Sequence, residues 1–424
     1  MAHQSRIKTI LLFTLTLIAI ISFLTRFQQL EKVEFKDVEL REVVIAERCM
    51  DTPSVVFIKN EINDSSVGIP QPPLINLSAC IFGFLFKSYD VVELMRFQIA
   101  FSLIGVLIFL LLIYKVDSSN FIIYYFAVVL STTNVYQFIM GRGFQLFTHA
   151  EIFAAALIFF WYKRDSFKNS FFYGFTSMML GMIYLITFLW TFSITFTTYF
   201  YCLLFKKNQN FNTKGLALGM LSVVPYIMFV YSGGEYIVRT STSWGLTSYW
   251  RTLFSFTSGQ SIYAKINHPN DLEVFLRGNI YIDYFINALQ VLVIFSFLYF
   301  LINILYKIFK QKALTNIELL LVSLLLTYGF FLTLGNRPIY AHYFLMPFPV
   351  SGLLLPYVLQ NLFNKDKYHL KLFIICFVTL TNLVLTQETL KYLDANNGAH
   401  NSDYGKSYNI CGCCTNVIKD CRGQ

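Results

Sequence analysis

Apolar residues run through this chain in long blocks separated by short polar turns. A bilayer core about 30 Å thick takes roughly 20 apolar residues in helix, with about 17 as a working minimum. On that measure eleven blocks read as membrane spans: Thr9–Thr25, Phe97–Tyr114, Phe121–Met140, Ala150–Tyr162, Phe171–Ile186, Phe188–Phe205, Gly215–Ser232, Tyr284–Tyr306, Leu319–Leu334, Tyr343–Leu359 and Leu372–Gln387. The stretch from Phe171 to Phe205 is 35 residues, about 52 Å as one helix, and is divided in two because a single crossing would need extreme tilt. Pro73–Phe86 is apolar too, but its 14 residues reach only about 21 Å, which suits a helix lying in the interface or re-entering.

Composition agrees with this pattern. The 424 residues are 56% hydrophobic and only 13% charged, about half the charge of an ordinary globular domain, which excludes a water-soluble fold. The net charge of +9 sits at the ends of apolar runs and not on one polar face, so no nucleic-acid surface is expected. It is an orientation signal instead. With a cytoplasmic N-terminus, the inner loops hold 15 basic and four acidic groups in about 55 residues, and the outer segments hold 18 basic and 20 acidic groups in about 175, as the positive-inside rule requires. Making 73–86 a twelfth span would invert most of these lysines. The first span has no small-residue cleavage site after it, since Arg26, Phe27 and Gln28 follow, and reads as an uncleaved anchor.

The fold class expected is therefore an all-α polytopic membrane protein of about eleven spans over residues 1–387, with outer loops at 26–96, 141–149, 233–283 and 335–342, and a Cys-containing outer tail at 388–424. The first loop carries interfacial helices in this reading. The tail cysteines Cys411, Cys413, Cys414 and Cys421, and Cys49 in the first loop, fall on an oxidising side; their spacing matches no usual zinc pattern and favours disulfides. Cys80, Cys202 and Cys376 lie in apolar runs and read as packing residues.

Candidate chemistry falls on the outer loops. Residues 31–44 read Glu-Lys-Val-Glu-Phe-Lys-Asp-Val-Glu-Leu-Arg-Glu-Val-Val, with Asp37 and Arg41 four apart and an apolar side, the pattern of an amphipathic helix on the membrane surface. A solvated helix with ion pairs explains it; so does a carboxylate held at the boundary as a general base. Gly68-Ile-Pro-Gln-Pro-Pro-Leu-Ile-Asn76 then opens the short apolar helix, and Arg96 opens the second span.

An acid after the first span, a Pro-Pro-Leu helix start and an Arg opening the next span resemble the first loop of the C-type (GT-C) membrane glycosyltransferases, the family of protein O-mannosyltransferases and lipid A aminoarabinose transferases. Arg142 and Glu151, with His149 between them, are similar to that family's Arg and acid at the second outer loop, with Glu where Asp is usual. His342-Tyr343-Phe-Leu-Met-Pro347-Phe-Pro349, with Arg337 nearby, is similar to its basic or aromatic pair before spaced prolines. The resemblance covers residues 1 to about 390. It implies transfer of a sugar from a polyprenyl-phosphate donor to a glycan, lipid or protein acceptor at the outer face of a bacterial inner membrane. It departs in that Val38 separates Asp37 from Glu39, where an adjacent Asp-Glu pair is expected.

Such a reaction suits these residue types. The lipid phosphate is a good leaving group that needs cations, bound bidentately by Arg, and one carboxylate takes the acceptor's proton. Asp37 is the candidate base with Glu39 second; Arg142, Glu151, Arg337, His342 and Tyr343 are the candidate donor-binding residues. Snorkelling to the interface accounts equally for each cation. Trp244, Tyr249, Trp250 and Phe254 could stack on a sugar or form an interfacial belt. No metal-ligand spacing is present, so no cofactor is expected. An O-antigen polymerase or ligase is the alternative in the same pathway, although its large polar loop usually falls in the C-terminal half. A transporter or flippase would place charges near the midplane, where this chain has almost none; a non-enzymatic membrane subunit is the remaining alternative.

Overall fold

The computed structural model describes residues 2–32, 34–35, 74–87, 90–142, 150–183, 186–206, 210–224, 245–262, 280–334, 339–363, 367–396 and 406–407. In chain order the helices are α1 (Ala2–Leu24), α2 (Leu74–Phe86), α3 (Val91–Val116), α4 (Phe121–Thr133), α5 (Val135–Met140), α6 (Ala150–Tyr162), α7 (Phe167–Ile183), α8 (Ile186–Leu204), α9 (Thr213–Met220), α10 (Leu246–Thr257), α11 (Ile280–Phe309), α12 (Asn316–Val322), α13 (Gly329–Leu334), α14 (Leu354–Leu362) and α15 (Tyr368–Ala395). Two two-residue strands, β1 (Glu34–Phe35) and β2 (Lys406–Ser407), pair antiparallel.

Among the described residues six helical stretches are long and apolar enough to cross a bilayer: Thr9–Phe27, Val92–Val116, Ile186–Leu204, Tyr281–Phe309, Asn316–Leu334 and Tyr368–Ala395. The protein is a helical, multi-pass membrane protein. Four of the other expected spans coincide with shorter or interrupted helices, and the fifth, Gly215–Ser232, lies partly outside the described residues. Large apolar side chains such as Leu203 and Phe309 face outward, at 76% and 83% exposure, as lipid-facing positions do. The long apolar stretch does divide: α7 ends at Ile183 and α8 begins at Ile186.

Local chemistry explains the breaks and close contacts. Asn134 separates α4 from α5; its Oδ1 accepts from the amides of Tyr136 (3.0 Å) and Gln137 (3.1 Å), while its Nδ2 donates to the Phe256 carbonyl (2.9 Å). One side chain thus ends one helix, caps the next and pins both to α10. Helices α7 and α9 approach closely because Gly215 and Gly219 face α7: a Cβ at these positions would lie 2.3 Å from the Phe167 carbonyl oxygen and 2.2 Å from that of Phe171. This is the small-xxx-small packing of membrane helices.

The bundle has two polar ends. At one end the close of α3, the close of α6 and the start of α12 meet: Tyr124 and Tyr162 share a hydrogen bond (2.6 Å), and Tyr162 donates to Asp117 (2.7 Å). There too Glu318 accepts from Lys307 Nζ (2.6 Å), the Tyr357 hydroxyl (2.5 Å) and the Thr315 amide (2.8 Å), clamping α11, α12 and α14. At the opposite end lie the close of α1, the start of α3, the close of α5 and the start of α6. Lys32, just past α1, ion-pairs with Asp394 near the end of α15, so α1 and α15 finish at the same end of the bundle.

Three expectations change. Leu30–Lys32 form a 3-10 turn and Glu34–Phe35 the strand β1, where an amphipathic helix is expected from residue 31; the backbone of β2 supplies Glu34 and Phe35 with a strand partner, and residues 36–44 of the expected helix lie outside the described residues. Cys80 is disulfide-bonded, to a cysteine outside the described residues, and is not a plain packing residue. Helix α10, whose aromatic side chains could stack on a sugar or form an interfacial belt, packs against α11 and α13. A π-helical segment at Ser323–Tyr328 turns backbone carbonyls away from the helical ladder, and those of Leu324 and Leu325 accept from Tyr249 Oη (2.5 Å) and Trp250 Nε1 (2.9 Å). Tyr249 is fully buried, and Trp250 and Phe254 pack on Phe297 at 5.3 and 5.2 Å. These three rings are committed to packing; Trp244 lies outside the described residues.

Candidate functional site

The cluster at this second polar end is built from four helices that finish or begin there. Arg26 stands in the 3-10 turn Thr25–Phe27 that continues α1, and Arg142 follows the last turn of α5. Gln98 and Ser102 are four residues apart on α3, Gln137 is on α5 and Glu151 is in the first turn of α6. All six side chains are buried. Gly141 permits the convergence, since a Cβ there would stand 2.9 Å from Arg26 Nη1.

Within the cluster, Ser102 donates to Glu151 Oε2, and Gln137 Nε2 reaches Glu151 Oε1 at 3.5 Å. Arg26 acts on Glu151 through its charge without a direct ion pair, and its Nη2 donates to the Thr132 carbonyl (2.9 Å). Arg142 Nη2 donates to the carbonyls of Gln28 and Gln29, the latter at 3.0 Å. The guanidinium carbons lie 4.8 Å from the Phe23 ring and 5.4 Å from the Phe138 ring.

The hydrogen-bond account is incomplete in both directions, since the acceptors Gln98 Oε1 and Gln29 Oε1 are buried without a donor. Arg26 Nε, Arg142 Nε and Arg142 Nη1 are buried without an acceptor. Burying a cation is costly unless its donors are matched; Glu151 acts on Arg26 and Glu31 on Arg142 through their charges, yet donor N–H groups of both guanidiniums stay unmatched. Burial pulls the Arg142 guanidinium down from its ordinary value, to about 9; the half-buried Glu31 opposes this and Arg26 adds to it. Arg142 therefore stays protonated at neutral pH. Guanidinium N–H groups are the donors with which an anion of several oxygens, such as a phosphate, pairs.

Of the residues expected from sequence, Arg142 and Glu151 both lie at this end of the bundle, each coupled through its charge to Arg26. Asp37, Glu39 and Arg337 lie outside the described residues, as do His149 and the tail cysteines. His342 and Tyr343 stand in a separate 3-10 turn; His342 stacks on Tyr340 (5.3 Å between centroids) and meets Tyr343 edge-on (4.8 Å). Arg96 is exposed and stands apart from the buried cluster.

Sequence reasoning missed Arg26, Gln98, Ser102, Gln137 and Glu31. An arginine flush with the end of a span, and two polar residues at i and i+4 inside an apolar run, were the available signals. Among the described residues no three His, Cys, Asp or Glu side chains converge as a metal-binding group. Compared with known protein families, with curated proteins and with solved structures, the chain matches none.

Proposed function

We propose that the protein is a membrane glycosyltransferase that moves a sugar from a polyprenyl-phosphate donor to a glycan, lipid or protein acceptor. In this reading the chain crosses the membrane eleven times, with a cytoplasmic N-terminus and an outward-facing tail, in a bacterial plasma membrane. The polar end that carries Arg26, Arg142 and Glu151 then faces outward, and the end rich in inner-loop lysines faces the cytoplasm.

The observation that supports this reading is the pair of buried arginines with unmatched N–H groups at the close of α1 and α5. They suit the phosphate of the donor. In the reaction the acceptor oxygen or nitrogen attacks the anomeric carbon as a first-loop carboxylate, Asp37 or Glu39, takes its proton. The bond from the anomeric carbon to the phosphate oxygen breaks, and its electron pair stays on the phosphate. Two guanidinium groups in a water-poor site stabilise the charge that develops there. One base and one displacement invert the anomeric centre, in contrast to the two carboxylates of a glycoside hydrolase.

The experiment is turnover by the purified full-length protein in lipid nanodiscs, supplied with acceptor-containing membrane extract and a panel of hexose, aminosugar and pentose polyprenyl phosphates. Release of polyprenyl phosphate from one of these donors is the expected result. Intact donor throughout, from protein that still binds polyprenyl phosphate, would favour a lipid carrier instead and sink the transferase reading.

A further inference from the structure

Helices α4, α5, α10, α11, α14 and α15 and the 3-10 turn Val350–Gly352 enclose a cavity between them. Its walls are mostly apolar, with Leu130, Leu289 and Val378 among them, and no Asp, Glu, Lys, Arg or His is found among the described residues that line it. Neutral polar side chains nevertheless enter it from several helices: Ser131, Asn134, Gln137, Ser296, Ser351 and Asn382. At membrane depth a polar group without a partner is costly, because no water replaces the missing bond.

Some of these groups are matched within the bundle. Asn134 caps α5 and bonds the Phe256 carbonyl, and Ser296 donates to the Leu292 carbonyl (2.8 Å) one turn back. Thr132 and Thr133, next to Ser131 on α4, likewise donate to the carbonyls of Val128 (2.9 Å) and Val129 (2.8 Å). Ser131 Oγ and Asn382 Oδ1 are not matched: their residues are 3% and 2% exposed, and neither atom has a hydrogen-bond partner. Each faces a glycine. A Cβ at Gly352 would stand 2.6 Å from Ser131 Oγ, and one at Gly259 would stand 3.8 Å from Asn382 Oδ1, so no side chain covers either atom from those positions.

The chemistry of the walls limits the occupant. A lining without charge is wrong for an ion. A hydrocarbon chain would leave both polar atoms unmatched, whereas a hydroxyl can donate to Asn382 Oδ1 and can accept from or donate to Ser131 Oγ. The cavity offers about 60 Å³ to the centres of water molecules; at roughly 10–15 Å³ for each, that admits about four to six waters or a slender molecule of similar bulk. We infer that this cavity is a binding site for a neutral, membrane-soluble alcohol, its hydroxyl bonded to Ser131 and Asn382 and its apolar body against the leucine and valine side chains of the wall. The site borders the arginine cluster without sharing its charges, since Gln137 lines the cavity while its Nε2 reaches Glu151 Oε1 at 3.5 Å. The inference stands independently of the glycosyltransferase reading.

The test is photolabelling of the full-length protein in lipid nanodiscs with azioctanol, an octanol that carries a photoreactive diazirine, followed by peptide mass spectrometry. Adducts are expected on the residues of α4, α11 and α15 that line the cavity. Excess octanol should suppress them, and octane or polyprenyl phosphate at the same concentration should not. Ser131→Val/Asn382→Leu keeps the bulk and removes both polar atoms; in the folded variant labelling affinity should fall by about tenfold. Octane competing as well as octanol would make the cavity a hydrocarbon slot, and competition by polyprenyl phosphate would assign it to the donor's chain; either result overturns the inference. So would the absence of adducts in the cavity, or full labelling of the folded double variant. The comparison of octanol with octane uses the unmodified protein and decides the question even if the variant does not fold.

Discussion

Replacing Arg142 with methionine separates an arginine kept for binding from one kept for folding. Methionine fills the volume of the aliphatic stem and brings no charge. The variant loses the Nη2 bonds to the Gln28 and Gln29 carbonyls and the contact with the Phe138 ring; bonds from a charged donor are worth roughly 1.5–3 kcal/mol each. It also no longer buries a cation whose Nε and Nη1 are unmatched, a penalty of several kcal/mol. The two effects oppose each other, and folding stability should stay within about 2 kcal/mol of the unmodified protein. Phosphate binding has no such offset. Two charge-assisted bonds lost from the donor amount to roughly 3–6 kcal/mol, or on the order of 10²–10⁴ in affinity. Thermal melting in detergent gives the first quantity, and equilibrium binding of radiolabelled polyprenyl phosphate gives the second. Arg142→Lys, which keeps the charge and loses the planar fork, should fall between. A stability loss of about 3 kcal/mol or more, with donor affinity unchanged, would make Arg142 a structural residue and refute the assignment.

Three further outcomes follow from the packing. Glu318→Ala strands Lys307 and frees Tyr357 at the opposite end of the bundle; it should lower stability by about 3–5 kcal/mol without changing polyprenyl-phosphate affinity, which melting and binding measured together would show. Gly219→Leu drives a side chain into the Phe171 carbonyl, where even a Cβ would sit at 2.2 Å, and should cost at least about 3 kcal/mol or abolish folded yield on size exclusion. Cys80→Ser should remove one cross-link from a non-reducing thiol count and lower melting stability by about 2–4 kcal/mol under oxidising conditions only; an unchanged thiol count would contradict the disulfide.

The fold was legible where hydrophobic length decides it. The six long spans and the division of the 171–205 stretch follow from counting apolar residues against bilayer thickness. What escaped depends on contacts between residues distant in sequence. Asn134 reads as one polar residue in an apolar run, and only the Phe256 carbonyl and the Gln137 amide beside it show that it ends a helix and aims Gln137 at Glu151. Tyr249 and Trp250 lie on an amphipathic helix that looks interfacial; the π segment that receives their hydrogen bonds has no signature in an apolar string. Half of the buried arginine pair was visible, because Arg142 interrupts a loop and draws notice. Arg26 sits where membrane helices ordinarily carry a snorkelling cation, and its burial arises from α5 and Gly141 packing over it.

The central claim is that this outer-end site catalyses sugar transfer with a first-loop carboxylate as base, and the most direct measurement is single-turnover transfer by Asp37→Asn/Glu39→Gln beside the unmodified protein, with polyprenyl-phosphate affinity measured on the same preparations. The expected result is a fall in transfer rate of about a hundredfold or more, from loss of the general base, with donor affinity unchanged. A normally expressed double variant that transfers sugar at the full rate would contradict the account.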